Sequence, residues 1–171
     1  MRRALLTIVL VVFAACCYSQ TEGPKPVEPK AIGQVYLLDV SAQTMKELPS
    51  EQWKDATHSH GWPIRTDVSC SVFLGTQSAF RVKTTDKMEF VFKVGNPEGV
   101  TLYPATRTKK ERRVDYSEST YPKYNDKPIL GIAIEVSQYG QSSYKLVPKL
   151  PLAPGEYVIN AGTRVFTFGV D

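Results

Sequence analysis

The sequence predicts an all-β domain, a sandwich or barrel of short strands. Three observations carry this expectation. Apolar residues alternate with polar ones at a period of two along most of the chain, which is the pattern of half-buried strands. Clusters of Gly, Pro, Asn and Ser punctuate these runs at hairpin-like intervals. Helical periodicity is nearly missing, since only Ser50 to Ala56 offers room for a turn or two of helix.

The elements follow in order. Val35-Tyr36-Leu37-Leu38-Asp39-Val40 is the first expected strand, ended by Ser41-Ala42, and Lys46-Glu47-Leu48 is a short second one. Val68 to Val82 contains two strand-like pieces broken at Gly75. In the first of them Val68, Cys70, Val72 and Leu74 share a face, so Cys70 is expected to be a buried, inert small hydrophobe. Met88, Phe90, Phe92 and Val94 share a face of the next strand, and Gly95-Asn96-Pro97-Glu98-Gly99 then turns the chain into Val100-Thr101-Leu102-Tyr103. Leu130, Ile132, Ile134 and Val136 alternate with Gly131, Ala133, Glu135 and Ser137, the cleanest alternation in the chain. Ser143 to Val147 follows after Tyr139-Gly140-Gln141. Gly155 to Ile159 and Arg164 to Val170 flank a last turn at Asn160-Ala161-Gly162. Roughly eight or nine strands result, enough for a two-layer β architecture.

The N-terminus reads as an address. Met1-Arg2-Arg3, an apolar run from Ala4 to Ala15 and then Cys16-Cys17 form a basic start, a short apolar core and a small-residue exit, the pattern of a secretory signal peptide. The run is shorter than the roughly twenty residues a bilayer-spanning helix needs. Thr21 to Lys30 holds three prolines and alternating charges without an apolar period, which suits a semi-rigid spacer. The expected organisation is a signal peptide at 1–16, a Pro-rich flexible tether at 17–31 and a single β-sandwich domain at 32–171.

Composition bounds the partners. The formal charge of +4 falls to +2 once Arg2 and Arg3 leave with the signal, so no general attraction to nucleic acid is expected. With Cys16 and Cys17 at the export junction, Cys70 is the one thiol of the folded part, and about 150 residues can bury a core without disulfides.

Phe13-Ala14-Ala15-Cys16 resembles the lipobox of bacterial lipoproteins, departing from it at Phe13, where Leu is usual. The resemblance implies lipidation of Cys16 and attachment to a membrane. Ordinary cleavage after Cys17 or Ser19, releasing a soluble secreted chain, is the alternative. Leu152-Ala153-Pro154-Gly155-Glu156-Tyr157 resembles the tyrosine corner of immunoglobulin-like and fibronectin-like sandwiches, with Tyr157 as the structural tyrosine and two strands left to follow. That Leu-x-Pro-Gly-Glu-Tyr segment, with the ending Phe-x-Phe-Gly-Val-Asp, is similar to a group of exported bacterial β-sandwich proteins of no assigned activity. The likeness implies an immunoglobulin-like fold and export.

Two constellations could carry chemistry. His58-Ser59-His60 holds both histidines of the chain. In an extended segment both imidazoles point to one side and can reach one metal, with Asp55 or Asp67 supplying a carboxylate. The hydrophilic stretch from Ala105 to Lys127 is basic in its first half and tyrosine-rich in its second. It reads as a protruding hairpin whose Arg107, Lys109, Arg112, Tyr116, Tyr121 and Tyr124 form a contact surface. No nucleophile elbow, phosphate-binding glycine loop, His-Glu-x-x-His helix or Cys-x-x-Cys pair occurs, so no enzyme and no cofactor are expected. The expectation is an exported, lipid-anchored binding or structural module of the cell envelope. Its partner would be an envelope protein or polysaccharide and not nucleic acid. A metal-binding role for His58 and His60 is the alternative.

Overall fold

A computed structural model describes residues 27–84, 88–122 and 125–171, and among these it contains thirteen β-strands. The hairpin β1 (Val35–Asp39) and β2 (Thr44–Glu47) is turned by the Asp39 carboxylate, which accepts from the amides of Ser41 and Ala42. A second hairpin pairs β3 (Lys54–His60) with β4 (Thr66–Leu74). After β5 (Arg81–Val82) and β6 (Glu89–Phe92), a 3-10 turn at Pro97–Gly99 is capped by the Asn96 side chain. It delivers the chain to β7 (Val100–Arg107), β8 (Glu111–Thr120) and β9 (Asn125–Pro128). Two further hairpins close the molecule, β10 (Ile134–Gln138) with β11 (Tyr144–Pro148) and β12 (Gly155–Ala161) with β13 (Arg164–Val170).

The strands form two sheets packed as a β-sandwich. One runs β10-β11-β6-β1-β2, the other β3-β4-β8-β7-β12-β13-β5, with β9 added beside β8. The core between them joins Val35, Phe90, Phe92 and Leu146 of the first sheet to Leu102, Tyr157, Ile159, Phe166 and Phe168 of the second. Phe90 and Phe168 meet across it with ring centroids 4.9 Å apart, a geometry that adds about 1 kcal/mol to the burial itself. The expected tyrosine corner is present: the Tyr157 hydroxyl donates to the Ala153 carbonyl at 2.6 Å, satisfying a carbonyl where the chain enters β12.

Several expectations need correction. Ser50 to Ala56 is not helical: Ser50 bridges to Phe166 and β3 begins at Lys54. The alternating run at Leu130 becomes a strand only from Ile134. Gly131 and Ile132 instead lie against the open edge of β7, where the Ile132 amide reaches the Leu102 carbonyl at 2.7 Å. A β-carbon at Gly131 would come within 2.5 Å of that carbonyl, so the close approach requires glycine. Within the stretch expected to be tether, Pro29 is buried and the Glu28 carboxylate accepts from the amides of Gln141 and Ser142 and the hydroxyls of Ser142 and Ser143. Those bonds, first the one from Gln141, hold the Glu28 carboxyl below its ordinary pKa. The expected signal peptide and Cys16 lie outside the described residues.

Most of the described residues between Ala105 and Lys127 belong to strands of the sheet. β8 pairs with β4 along its length, with β7 at Arg112 and Arg113, and with β9 from Ser117 to Thr120. β3, β4, the second half of β8, and β9 thus extend the larger sheet past its junction with β7.

Candidate functional site

The basic run is anchored to the interior. Arg112 is 2% exposed and belongs to the core, which corrects its expected place on a contact surface. In a strand, alternate residues point to opposite faces, and Arg112 and Val114 point to the face where Phe73, Val158 and Val165 cluster. Its guanidinium donates to Glu51 and Ser78, both at 2.6 Å, and to the carbonyls of Leu74 and Gly75, and it lies over the Phe73 ring. Ser78 passes the chain of bonds on, its hydroxyl and amide both donating to the buried Glu156 carboxylate. Arg81 and Arg107 complete that carboxylate at 2.5 and 2.9 Å, and Arg81 also pairs with Asp171. Burial alone would raise the Glu156 pKa, but the bonds from Ser78, Arg81 and Arg107 outweigh it and hold the carboxyl below its ordinary value.

The remaining expected contact residues do not share one surface. Lys109 is exposed at the β7–β8 turn, whereas Tyr121 follows the far end of β8. Ten residues of strand put about 30 Å between them. Tyr116 lies between, and Tyr124 is outside the described residues. What β8 does deliver is one half of an apolar tip. The Tyr121 amide donates to the Arg65 carbonyl at 2.9 Å, tying the end of β8 to the β3–β4 turn. At that tip Trp62 is 93% exposed, Ile64 60% and Tyr121 54%. Gly61 makes the turn possible, with φ of +91° and space in which a β-carbon would sit 2.3 Å from the Ile64 carbonyl oxygen. Trp62 is not among the residues that the sequence marks as a contact surface. The signal was there, an aromatic and an aliphatic residue in a Gly-Trp-Pro-Ile turn with no alternation to bury them.

The histidines sit in β3, with His58 and His60 on one side and their rings stacked at 6.2 Å between centroids. Their expected carboxylates point elsewhere: Asp55 lies toward Ser71, and Asp67 accepts from Ser59 and Arg65. His58 instead meets Asp115 of β8, with Nε2 3.2 Å from Oδ1. A β-bulge explains this, because β4 and β8 shift register between Ser69 and Cys70, so that Cys70 faces Asp115 and Tyr116 is the extra residue. Cys70 is buried, as expected, at 1% exposure. Burial, then the charge of Asp115, raises its thiol pKa, so the Cys-His-Asp grouping lacks the accessible thiolate a nucleophile needs.

An open groove of about 370 Å³ between the 3-10 turn and β10–β11 is lined by Val100, Ile134, Val136 and Tyr144 with Glu98 and Gln138 on its rim, and it gathers few polar groups for recognition. Compared with protein-family models, curated proteins and solved structures, the chain matches none.

Proposed function

We propose that this protein is an exported, membrane-tethered binding module of the cell envelope that meets a protein partner with the apolar tip of the β3–β4 hairpin. One observation carries the reading: Trp62 stands almost wholly in solvent, grouped with Ile64 and Tyr121 on two turns tied by a backbone hydrogen bond. Apolar surface held in water costs about 25 cal/mol per Å² relative to burial, and grouped apolar exposure marks contact sites. Trp, Tyr and Arg are the residue types that dominate binding energy between proteins, and Arg65 stands in the same turn. The aliphatic Ile64 favours a protein surface over a sugar, which would stack on the aromatic rings alone.

Polyanion binding through the basic run has less support, since Arg107 and Arg112 are engaged with Glu156 and Glu51. Export is supported by the basic start and apolar run, and the tether by Cys16 in its lipobox-like setting and by the prolines before Glu28. Acylation would contribute about 0.8 kcal/mol per buried methylene to membrane attachment.

The test is chemical crosslinking of the full chain in intact cells. Trp62→Ala combined with Ile64→Ser should lower protein capture by about ten-fold or more, one such anchor being worth about 2 kcal/mol. Thermal stability should stay unchanged. Undiminished capture would overturn the reading.

A further inference from the structure

We propose that His58, Cys70 and Asp115 form a binding site for a zinc-class divalent metal ion. Among the described residues these three side chains converge, with one ligand atom from each lying within 4.8 Å of the others. In a tetrahedral zinc site, bonds of about 2.0–2.3 Å place neighbouring donors about 3.3–3.8 Å apart. The His58 Nε2 to Asp115 Oδ1 distance of 3.2 Å is within about 0.1 Å of the shortest such edge, and the thiol must close by at most about an ångström.

The donor set selects the metal. Imidazole nitrogen with thiolate sulfur suits zinc and its borderline neighbours, whereas calcium and magnesium take oxygen donors. Three protein ligands leave a fourth position for water, and the half-buried side chains of His58 and Asp115 give it a path to solvent. The local charge is compatible with a cation: the negative charges of Asp115, Glu111 and Asp55 act on the thiol against the single guanidinium of Arg113. On binding, the sulfur–hydrogen bond breaks, the proton leaves to solvent and the sulfur–metal bond forms in its place. The ligands come from three neighbouring strands, so the ion would brace β3, β4 and β8, the ladder that carries the apolar tip.

The site differs from a pairing of the two histidines, and that difference makes it testable. The reduced full chain is titrated with Co²⁺, whose thiolate bond gives a charge-transfer absorbance, and Zn²⁺ is then added as competitor. A charge-transfer band should saturate at one equivalent and be displaced by Zn²⁺. Cys70→Ser should lose the band, which separates it from any cobalt held by Cys16 or Cys17. His58→Ala and Asp115→Asn should weaken binding at least ten-fold, because even outer-shell partners are worth about 10–100-fold. His60→Ala should change it less than two-fold. If Cys70→Ser fails to fold, Cys70→Ala takes its place, and folding of each variant is checked by near-ultraviolet circular dichroism. A band that persists without Cys70, or the absence of any thiolate band in the native chain, overturns the proposal.

Discussion

Arg112 has nowhere to go but the place it occupies. Its charge is enclosed by Glu51, Ser78 and two carbonyls, and Phe73 covers its face. Removing one partner of such a buried pair leaves the other uncompensated, so Arg112→Ala should destabilise the domain by about 3–5 kcal/mol in urea denaturation. A surface arginine would cost less than about 0.5 kcal/mol. Glu156 makes a pH-dependent contribution from the same network. Its folded pKa is lowered, so it stabilises the domain above the unfolded value, about 4.3, and that stability is lost as pH falls through the lower, folded one. Glu156→Gln should therefore be less stable than the native chain at neutral pH and show a flatter loss as pH falls below about 5. Denaturation midpoints across that range check both signs. At this scale Tyr157 and Cys70 were legible in the sequence, one from its Pro-Gly-Glu-Tyr setting and one from its alternation. Arg112 was not, because a run of like charges conceals which of its members faces inward.

Elements were legible where one face is apolar. The first and last hairpins and the break at Gly75 follow directly from alternation and turn residues. β3 escaped because it is an edge strand exposed along nearly its whole length, leaving no alternation to read. The convergence of His58, Cys70 and Asp115 escaped for another reason. His58 and Asp115 are 57 residues apart, and only the bulge between β4 and β8 brings Asp115 opposite Cys70. The β3–β4 hairpin depends on a single backbone position. Gly61→Ala would combine a strained positive φ with a clash against the Ile64 carbonyl, costing about 1–3 kcal/mol. Amide exchange should quicken first in β3 and the start of β4 and leave β12 and β13 unchanged, because the two hairpins lie at separate places in the sheet order.

For the whole molecule, a two-sheet sandwich places distinct tasks at distinct positions. Glu28 fastens the entering chain to the β10–β11 turn, the core between the sheets supplies stability, and the extension of the larger sheet presents Trp62, Ile64 and Tyr121. This division explains why no catalytic motif is needed for the proposed role. Composition and patterning foretold the β class because burying alternate residues is a local demand. They did not reveal the tip, because its exposure depends on which turns meet in space. The most direct test of the binding claim is site-specific photocrosslinking in intact cells, with the probe at position 64 and a control at the exposed Ala42. A discrete protein adduct is expected from position 64, lost when Trp62 is alanine, and none from position 42. Equal adducts from both positions, or none from position 64, would contradict the binding claim.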